Sequence, residues 1–360
     1  MSKKHNITVI GTGNGGQAIA GYCAMRGHHV CIYGRNTDVV KMIQDSKKIT
    51  LCGQIEGEGE MSIVTSNIKI AMEHADIIMI ATTANAHKGL AEQMVPHLKR
   101  DQIVLLNPGR TGGLLEFKNA LNDTSVRNTI YLAEAQTLMY ACRIIENAHV
   151  NIIGIKNRVL LSSDKSASTR YIINELSDIY PCFMPAKNIL QTSFENIGAV
   201  FHPSIILFNA ATIERGESFY FYRDLTRCIT DFINKVDSER ISLGKAFGVE
   251  LIPAAEWVSY AYSGVLGATL HERIKNNPAY CDILSPKSIY SRQLLEDIPT
   301  GIVPFLEFAK IAKVEMPITQ SVLDICSALL NMDFIQEGRT LKRLGLDKLS
   351  VEEIVKQLGC

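Results

Sequence analysis

Short apolar runs alternate with amphipathic stretches through the first half of the 360-residue chain. Ile7–Ile10, His29–Tyr33, Ile77–Ala81 and Ile103–Leu106 are aliphatic runs with the length of buried strands. Between the first two lies QAIAGYCAMRG, an apolar pattern of helical period that Gly27 ends. Two further stretches, TIYLAEAQTLMYACR and HVNIIGIKNRVLLSS, carry the strand pattern to about residue 186. Strands alternating with helices predict a mostly parallel sheet covered on both faces. After Pro185 the period changes. Helical spacing runs over Ile189–Arg215, Tyr222–Phe247, Ala254–Tyr262, Leu294–Ile311, Thr319–Met332 and Val351–Leu358, with turns such as GVELIP and VEMP between them. The length suggests two domains. The expected boundaries are 1–186 for the α/β part and 187–360 for an all-α part built around a long first helix.

The turn after the first strand reads Gly11-Thr12-Gly13-Asn14-Gly15-Gly16. Strand, GxGxxG, helix, strand is the context in which this motif binds a dinucleotide. Gly11 permits the tight turn, Gly13 lets the backbone approach a pyrophosphate, and Gly16 lets helix and strand pack closely. Asn14 and Gly15 lie where the exposed N–H groups of the helix start hold phosphates. The fold class is therefore α/β, an N-terminal Rossmann dinucleotide-binding domain followed by an all-α C-terminal domain. NAD sites usually place an acid at the end of the second strand, on the ribose 2′-OH. Here the chain reads Gly34-Arg35-Asn36-Thr37. A small residue followed by Arg35 leaves room for a 2′-phosphate and a guanidinium to hold it, which favours NADP(H) and leaves NAD(H) as the alternative.

Lys+Arg and Asp+Glu both total 37. A neutral chain has no global field to draw polyanions, so neither nucleic acid nor a membrane surface is an expected partner. No apolar run reaches the length needed to span a bilayer. The start MSKKHNITVIG lacks an apolar stretch followed by a small-residue cleavage site. Nine scattered cysteines without a CxxC pair read as reduced thiols, with no disulfide framework and no metal site. A cytoplasmic protein is expected, with a homodimer as the default assembly for its size.

Within the helical half, NIGAVFHPSIILFNA is almost wholly apolar, apart from His202 in its middle, Ser204 and an asparagine near each end, Asn196 and Asn209. One titratable ring in an apolar helix is either a satisfied core histidine or a proton-transfer group kept from water. A second ionisable set, YSRQLLEDIPTGIVP, places Arg292, Glu296 and Asp297 just before Pro299 and Gly301. A carboxylate at such a helix break can orient a histidine, but spacing alone does not pair Asp297 with His202. The loop Asn107–Gly113, rich in backbone donors, follows a strand at the end where α/β sheets bind ligands, and it is read as bordering nicotinamide and substrate. Phe219–Tyr222 reads as core packing, KVDSERISLGKA as a solvated helix face, and His87 as a structural helix start.

VIGTGNGGQAIA, NPGRTGGLLEF, AEAQTLMYACR, NILQTSFENIGAVFHPSIILFNAA, VDSERISLGKAFG, NPAY, EDIPTGIVPFLE and the tail DFIQEGRTLKRLGLDKLS occur in the order seen in the opine dehydrogenases. The resemblance covers nearly the whole chain and is strongest to the bacterial N-(1-D-carboxyethyl)-L-norvaline dehydrogenase branch. It implies NAD(P)H-dependent reductive condensation of a 2-oxo acid, commonly pyruvate, with the amino group of an L-amino acid. It also implies a proton-transfer dyad of His202 and Asp297, a substrate-carboxylate site at Arg292, and a less defined substrate role for Asn196. The branch carries an acid where this chain has Gly34, so cofactor preference rests on Arg35. The competing readings are a two-domain NADP-dependent reductase of a small oxo acid, of ketopantoate or hydroxy-acid type, and a non-catalytic dinucleotide sensor. The first would rely on a lysine in a marked motif, and the second gains nothing from a His202–Asp297 pair.

Overall fold

The computed structural model describes residues 3–121, 124–146 and 148–359. The chain divides into two compact units, one running to Gly109 and from Gly113 to Ala186, the other comprising Arg110–Gly112 and the chain from Lys187 on. The short segment Arg110–Gly112 thus groups with the helical unit, although the sequence boundaries put it in the first domain.

Among the described residues the first unit holds twelve strands: β1 Asn6–Ile10, β2 His29–Tyr33, β3 Lys48–Gly53, β4 Gly57–Glu60, β5 Ile63–Thr65, β6 Ile77–Ile80, β7 Ile103–Leu106, β8 Tyr131–Ala135, β9 Tyr140–Glu146, β10 His149–Ile155, β11 Val159–Ser163 and β12 Phe183–Pro185. Eight form one sheet in the order β12-β11-β8-β7-β6-β1-β2-β5. It is parallel except where β11 meets β8. The run β5-β2-β1-β6-β7-β8 is the doubly wound order, with its switch point beside β1. The central strands are buried throughout, which is why they read as unbroken aliphatic runs. The sequence pattern did not foresee the second sheet, β4-β3-β10-β9, which lies against helix α1 (Asn14–Met25). Its strands are mixed in polarity because one face is exposed. His87 opens a helix, His87–Met94, and is fully buried.

The helical unit departs from the sequence pattern at its start. In place of one helix over Ile189–Arg215 there are three, Ile189–Phe194, Ile197–Phe208 and Ala210–Glu214. The longest helix is Arg227–Ala246. The first break is fixed by an ionic knot. Arg240, fully buried, donates to the Phe194 carbonyl at 3.1 Å and to the Ile252 carbonyl at 2.6 Å. It also pairs with Glu195 at 3.4 Å and with Asp237 at 2.8 Å. Glu195 accepts from the Ile252 N–H and Asp237 from the Ala254 N–H, both at 2.7 Å. Burial raises the Glu195 carboxyl above its usual range, with Arg240 opposing. The segment KVDSERISLGKA is therefore not simply a solvated face: Asp237 and Arg240 point inward. The helix expected from Tyr222 begins at Arg227, because Phe219–Tyr222 forms an extended turn pinned to Ile283 and Ser285. The pattern over Leu294–Ile311 divides into Arg292–Leu295, a π-helical turn Ile298–Ile302, and Val303–Ala312.

Candidate active site

The glycine turn has the shape of a phosphate cradle. Gly11 has φ 125°, a conformation that side chains rarely adopt. A Cβ on Gly16 would run into the Gly11 carbonyl, so helix and turn meet at the closest possible approach. The Gly11 N–H donates to the Tyr33 carbonyl at 2.8 Å and Gln17 clamps the Thr12 carbonyl at 2.8 Å, fixing the turn between β1 and β2. Gly13, the cap of α1, makes no side-chain cap, and a Cβ there would meet only open space. The N–H groups at the start of α1 are thus left to an anion, and the residues fit a dinucleotide pyrophosphate. Asn14 Oδ1 accepts from the Ile144 N–H at 2.8 Å, which fixes the residue that opens α1. Gly15 faces Leu138. At the end of β2, Arg35 is exposed. A Cβ on Gly34 would lie 2.5 Å from Thr12 Cγ2 and 2.7 Å from its Oγ1, so Thr12 fills the space an acidic side chain would need.

The ionisable set lies wholly in the helical unit. His202 stands one residue before Pro203, which cannot donate to the Ala199 carbonyl a turn earlier. Asp297 stands at the entry to the π-helical turn, where Pro299 and Gly301 interrupt regular helix. These two breaks bring together residues far apart in sequence. His202 Nδ1 lies 2.7 Å from Asp297 Oδ2. Asp297 is fully buried, and burial alone would raise its carboxyl. Arg110 first, then His202 and Arg292, outweigh that and hold it down at about 2. An ionised carboxylate only accepts, so Nδ1 carries the proton and donates. The second ring nitrogen, Nε2, lies 2.9 Å from the Tyr222 hydroxyl.

Arg110 is the hub that sequence reasoning missed. Its Nη1 lies 3.2 Å from Asp297 Oδ1 and donates to Asn196 Oδ1 at 3.2 Å, while Nη2 lies 3.6 Å from Glu296. Glu296 in turn accepts from Arg292 Nη1 at 2.9 Å. The only clue was an arginine among the backbone donors of NPGRTGG. Arg110 has φ 63°, a left-handed conformation costing of order 1–3 kcal/mol that surrounding contacts must enforce. Next to it, Thr111 donates to the Ser193 carbonyl at 3.0 Å and Ser193 accepts from the Gly112 N–H at 3.1 Å. Gly198 makes room: a Cβ there would strike Arg110 Nη1 and sit 3.0 Å from Asp297 Oδ1. Asn196 is drawn into the same network. Its amide accepts from Arg110 and donates to Thr111 Oγ1 at 3.2 Å, so it clamps the arginine.

Two carboxylates and two guanidiniums make a set balanced in charge, with Arg292 its most accessible member, 47% exposed. Aromatic rings enclose His202 on another side. Phe221 stands edge-on at 5.8 Å, and Tyr222 stacks on Tyr280 at 4.1 Å between ring centroids. The run Phe219–Tyr222 does pack as core, but Tyr222 also turns its hydroxyl to the histidine. Chemically the arrangement is an oriented imidazole beside an accessible guanidinium, in apolar surroundings.

Residues 185–330 match the family model described as NAD/NADP octopine/nopaline dehydrogenase, alpha-helical domain, and residues 6–123 match NAD-dependent glycerol-3-phosphate dehydrogenase N-terminus. The chain is 33% identical over 356 residues to an opine dehydrogenase of Arthrobacter sp. (strain 1C), covering 98% of this chain and 99% of that one. Its fold is similar to octopine dehydrogenase solved with NADH and L-arginine, with TM-score 0.80 at 21% identity and 98% of each chain covered. It is also similar to yersinopine dehydrogenase solved with NADP+, with TM-score 0.71 at 16% identity, covering 99% of this chain and 98% of that one.

Proposed function

The chain belongs to the opine dehydrogenase family, and from that premise we propose that His202 and Asp297 are its proton-transfer pair, Arg292 its carboxylate anchor and NADP(H) its preferred cofactor. The reaction is the NAD(P)H-dependent reductive condensation of a 2-oxo acid, pyruvate in this reading, with the amino group of an L-amino acid. The observation that carries the site reading is the 2.7 Å contact of His202 Nδ1 with a buried, ionised Asp297, beside an accessible Arg292.

Asp297 fixes the tautomer, so His202 presents Nε2 as base or Nε2–H as acid. In the condensing direction His202 takes up a proton from the substrate ammonium, the neutral amine attacks the keto carbon, and a second N–H proton passes to the former carbonyl oxygen to give the carbinolamine. As imidazolium it then protonates the carbinolamine hydroxyl, which leaves as water. When bound, the reduced nicotinamide supplies the hydride that reduces the resulting C=N carbon. Arg292 holds a substrate carboxylate through the guanidinium nitrogens that Glu296 does not occupy. The apolar helix excludes water, which would return the imine to ketone and amine.

The aromatic surround of His202, and the commitment of both nearby carboxylates to arginines, favour an amino acid with an uncharged apolar side chain. A cationic side chain would find no uncommitted acid among Glu296 and Asp297. NADP(H) is favoured because Thr12 fills the place of an NAD-type acid and Arg35 is free to reach a 2′-phosphate. Asp38, in the first turn of the helix that follows, is the observation on the side of NAD(H). The free cysteines fit a reducing, cytoplasmic location, and a homodimer is the assembly we assign. His202→Ala tests the site: turnover falls by about 10²–10⁴ if the imidazole is the acid/base. Wild-type turnover in a folded variant removes it from the reaction.

A further inference from the structure

We infer that the Tyr222 hydroxyl carries the proton between His202 and the reacting oxygen of the substrate, so that Asp297, His202 and Tyr222 form one relay. The inference rests on His202 being the acid/base of the proposed function. It goes beyond the dyad because it assigns the last transfer to the phenol instead of the imidazole.

The geometry leaves His202 one nitrogen for chemistry. Nδ1 is spent on Asp297, and Nε2 is met at 2.9 Å by the Tyr222 oxygen. A hydroxyl both donates and accepts, so it satisfies Nε2 in either protonation state. It donates to the lone pair of neutral imidazole and accepts from imidazolium. The tyrosine is also held in place. Its ring stacks on Tyr280 at 4.1 Å and 15°, and Phe201 and Phe221 stand edge-on against it at 6.4 Å and 4.9 Å. The neighbouring Phe221 N–H is tied to the Ile283 carbonyl at 2.7 Å. A substrate group reaching Nε2 directly would have to compete with the Tyr222 hydroxyl already there at 2.9 Å. The hydroxyl also lies within electrostatic reach of Arg292. Among the described residues the charged and titratable groups facing the relay include Asp297, Arg110, Glu296, Arg292, Tyr280 and Tyr262. Burial pushes the Tyr280 phenol well above its ordinary range, so the ring stacked on Tyr222 is uncharged.

The step balances without another reagent. During condensation, imidazolium Nε2–H passes its proton to the Tyr222 oxygen as the Tyr222 proton passes to the carbinolamine hydroxyl. The C–O bond breaks, water leaves, and the nitrogen lone pair closes the C=N bond. His202 ends neutral and Tyr222 ends as it began. Opine cleavage runs the same exchange backwards, with water giving its proton to Tyr222 as Nε2 takes the phenolic one.

The test compares wild type, Tyr222→Phe, His202→Ala and the protein carrying 3,5-difluorotyrosine at position 222, all with pyruvate, an aliphatic L-amino acid and NADPH. Phe keeps the stack on Tyr280 and removes only the oxygen. The relay predicts that kcat of Tyr222→Phe falls by about 10–10³-fold while each KM stays within about threefold. It also predicts that the alkaline limb of kcat moves to lower pH in the difluorotyrosine protein, since a phenolate cannot donate. Any of three outcomes overturns it: Tyr222→Phe within about threefold of wild-type kcat, a rise in KM alone, or an unmoved alkaline limb. If His202→Ala also keeps wild-type turnover, the acid/base reading itself has failed. If only His202→Ala falls, the relay alone has failed.

Discussion

Replacing Asp297 by Asn tests whether the buried pair works as a unit. At the observed 2.7 Å between Asp297 Oδ2 and His202 Nδ1, two unit charges at an effective dielectric of 20 attract by about 6 kcal/mol. That is a ceiling on what the carboxylate gives the imidazolium, since desolvation offsets part of it. A remnant of about 3–5 kcal/mol corresponds to about 10²–10⁴ in rate, the range expected when an oriented base loses its carboxylate partner. Asn is isosteric, and Arg110 keeps Glu296 at 3.6 Å, so the fold persists. The assay is kcat for cofactor oxidation in Asp297→Asn, His202→Ala and the double variant, with circular dichroism confirming the fold. Groups that act as one unit are strongly non-additive. The double variant should therefore sit within about tenfold of His202→Ala alone. Additive losses, or Asp297→Asn at wild-type kcat, would falsify the coupling and leave the 2.7 Å contact as a packing feature.

Arg110→Met should destabilise the helical unit by about 3–5 kcal/mol, because it leaves Asp297 buried without its strongest cationic partner. Denaturant midpoints of the variant at pH 7 report this, and a midpoint equal to wild type contradicts it. The same pair sets a pH dependence. The Asp297 carboxyl is held down at about 2, so its stabilising contribution is present above the ordinary carboxylate range and is lost as pH falls towards that value. In Arg110→Met the native carboxyl titrates closer to its unfolded value, so this acid-dependent loss shrinks, and midpoints taken between pH 7 and pH 3 should fall less steeply than in wild type. Arg35→Ser should raise KM for NADPH by about 10–100-fold, the worth of a charge-assisted bond to phosphate, and leave KM for NADH unchanged. Equal effects on both cofactors would remove Arg35 from the 2′-phosphate.

What was legible in the sequence was local. Gly11–Gly16 and the strands around it follow from backbone sterics and burial within a few residues, and they lie where the pattern put them. His202 stood out because a titratable ring in an apolar helix is costly, and Asp297 because Pro299 and Gly301 interrupt a helix. Their pairing was hidden by a separation of 95 residues, and no periodicity encodes that register. The break at Glu195 was invisible for a related reason. It depends on a fully buried Arg240, and a helix that also carries Lys235 and Glu239 reads as solvated from its charges. Arg110 escaped notice because loop arginines are usually exposed, and its partners come from Asn196, Glu296 and Asp297. Tyr222 was masked by its neighbours: an aromatic run does pack as core, and only the direction of one hydroxyl gives it chemistry.

The central claim is a condensation that needs both an oxo acid and an amine. The direct measurement is oxidation of NADPH, and separately NADH, by the purified protein with pyruvate alone and then with pyruvate plus each L-amino acid. The account predicts no oxidation with pyruvate alone, rapid oxidation when an aliphatic L-amino acid is added, a secondary-amine dicarboxylate as product, and faster turnover with NADPH. Oxidation at the same rate without any amino acid, yielding lactate, would contradict it and make the protein a reductase of oxo acids.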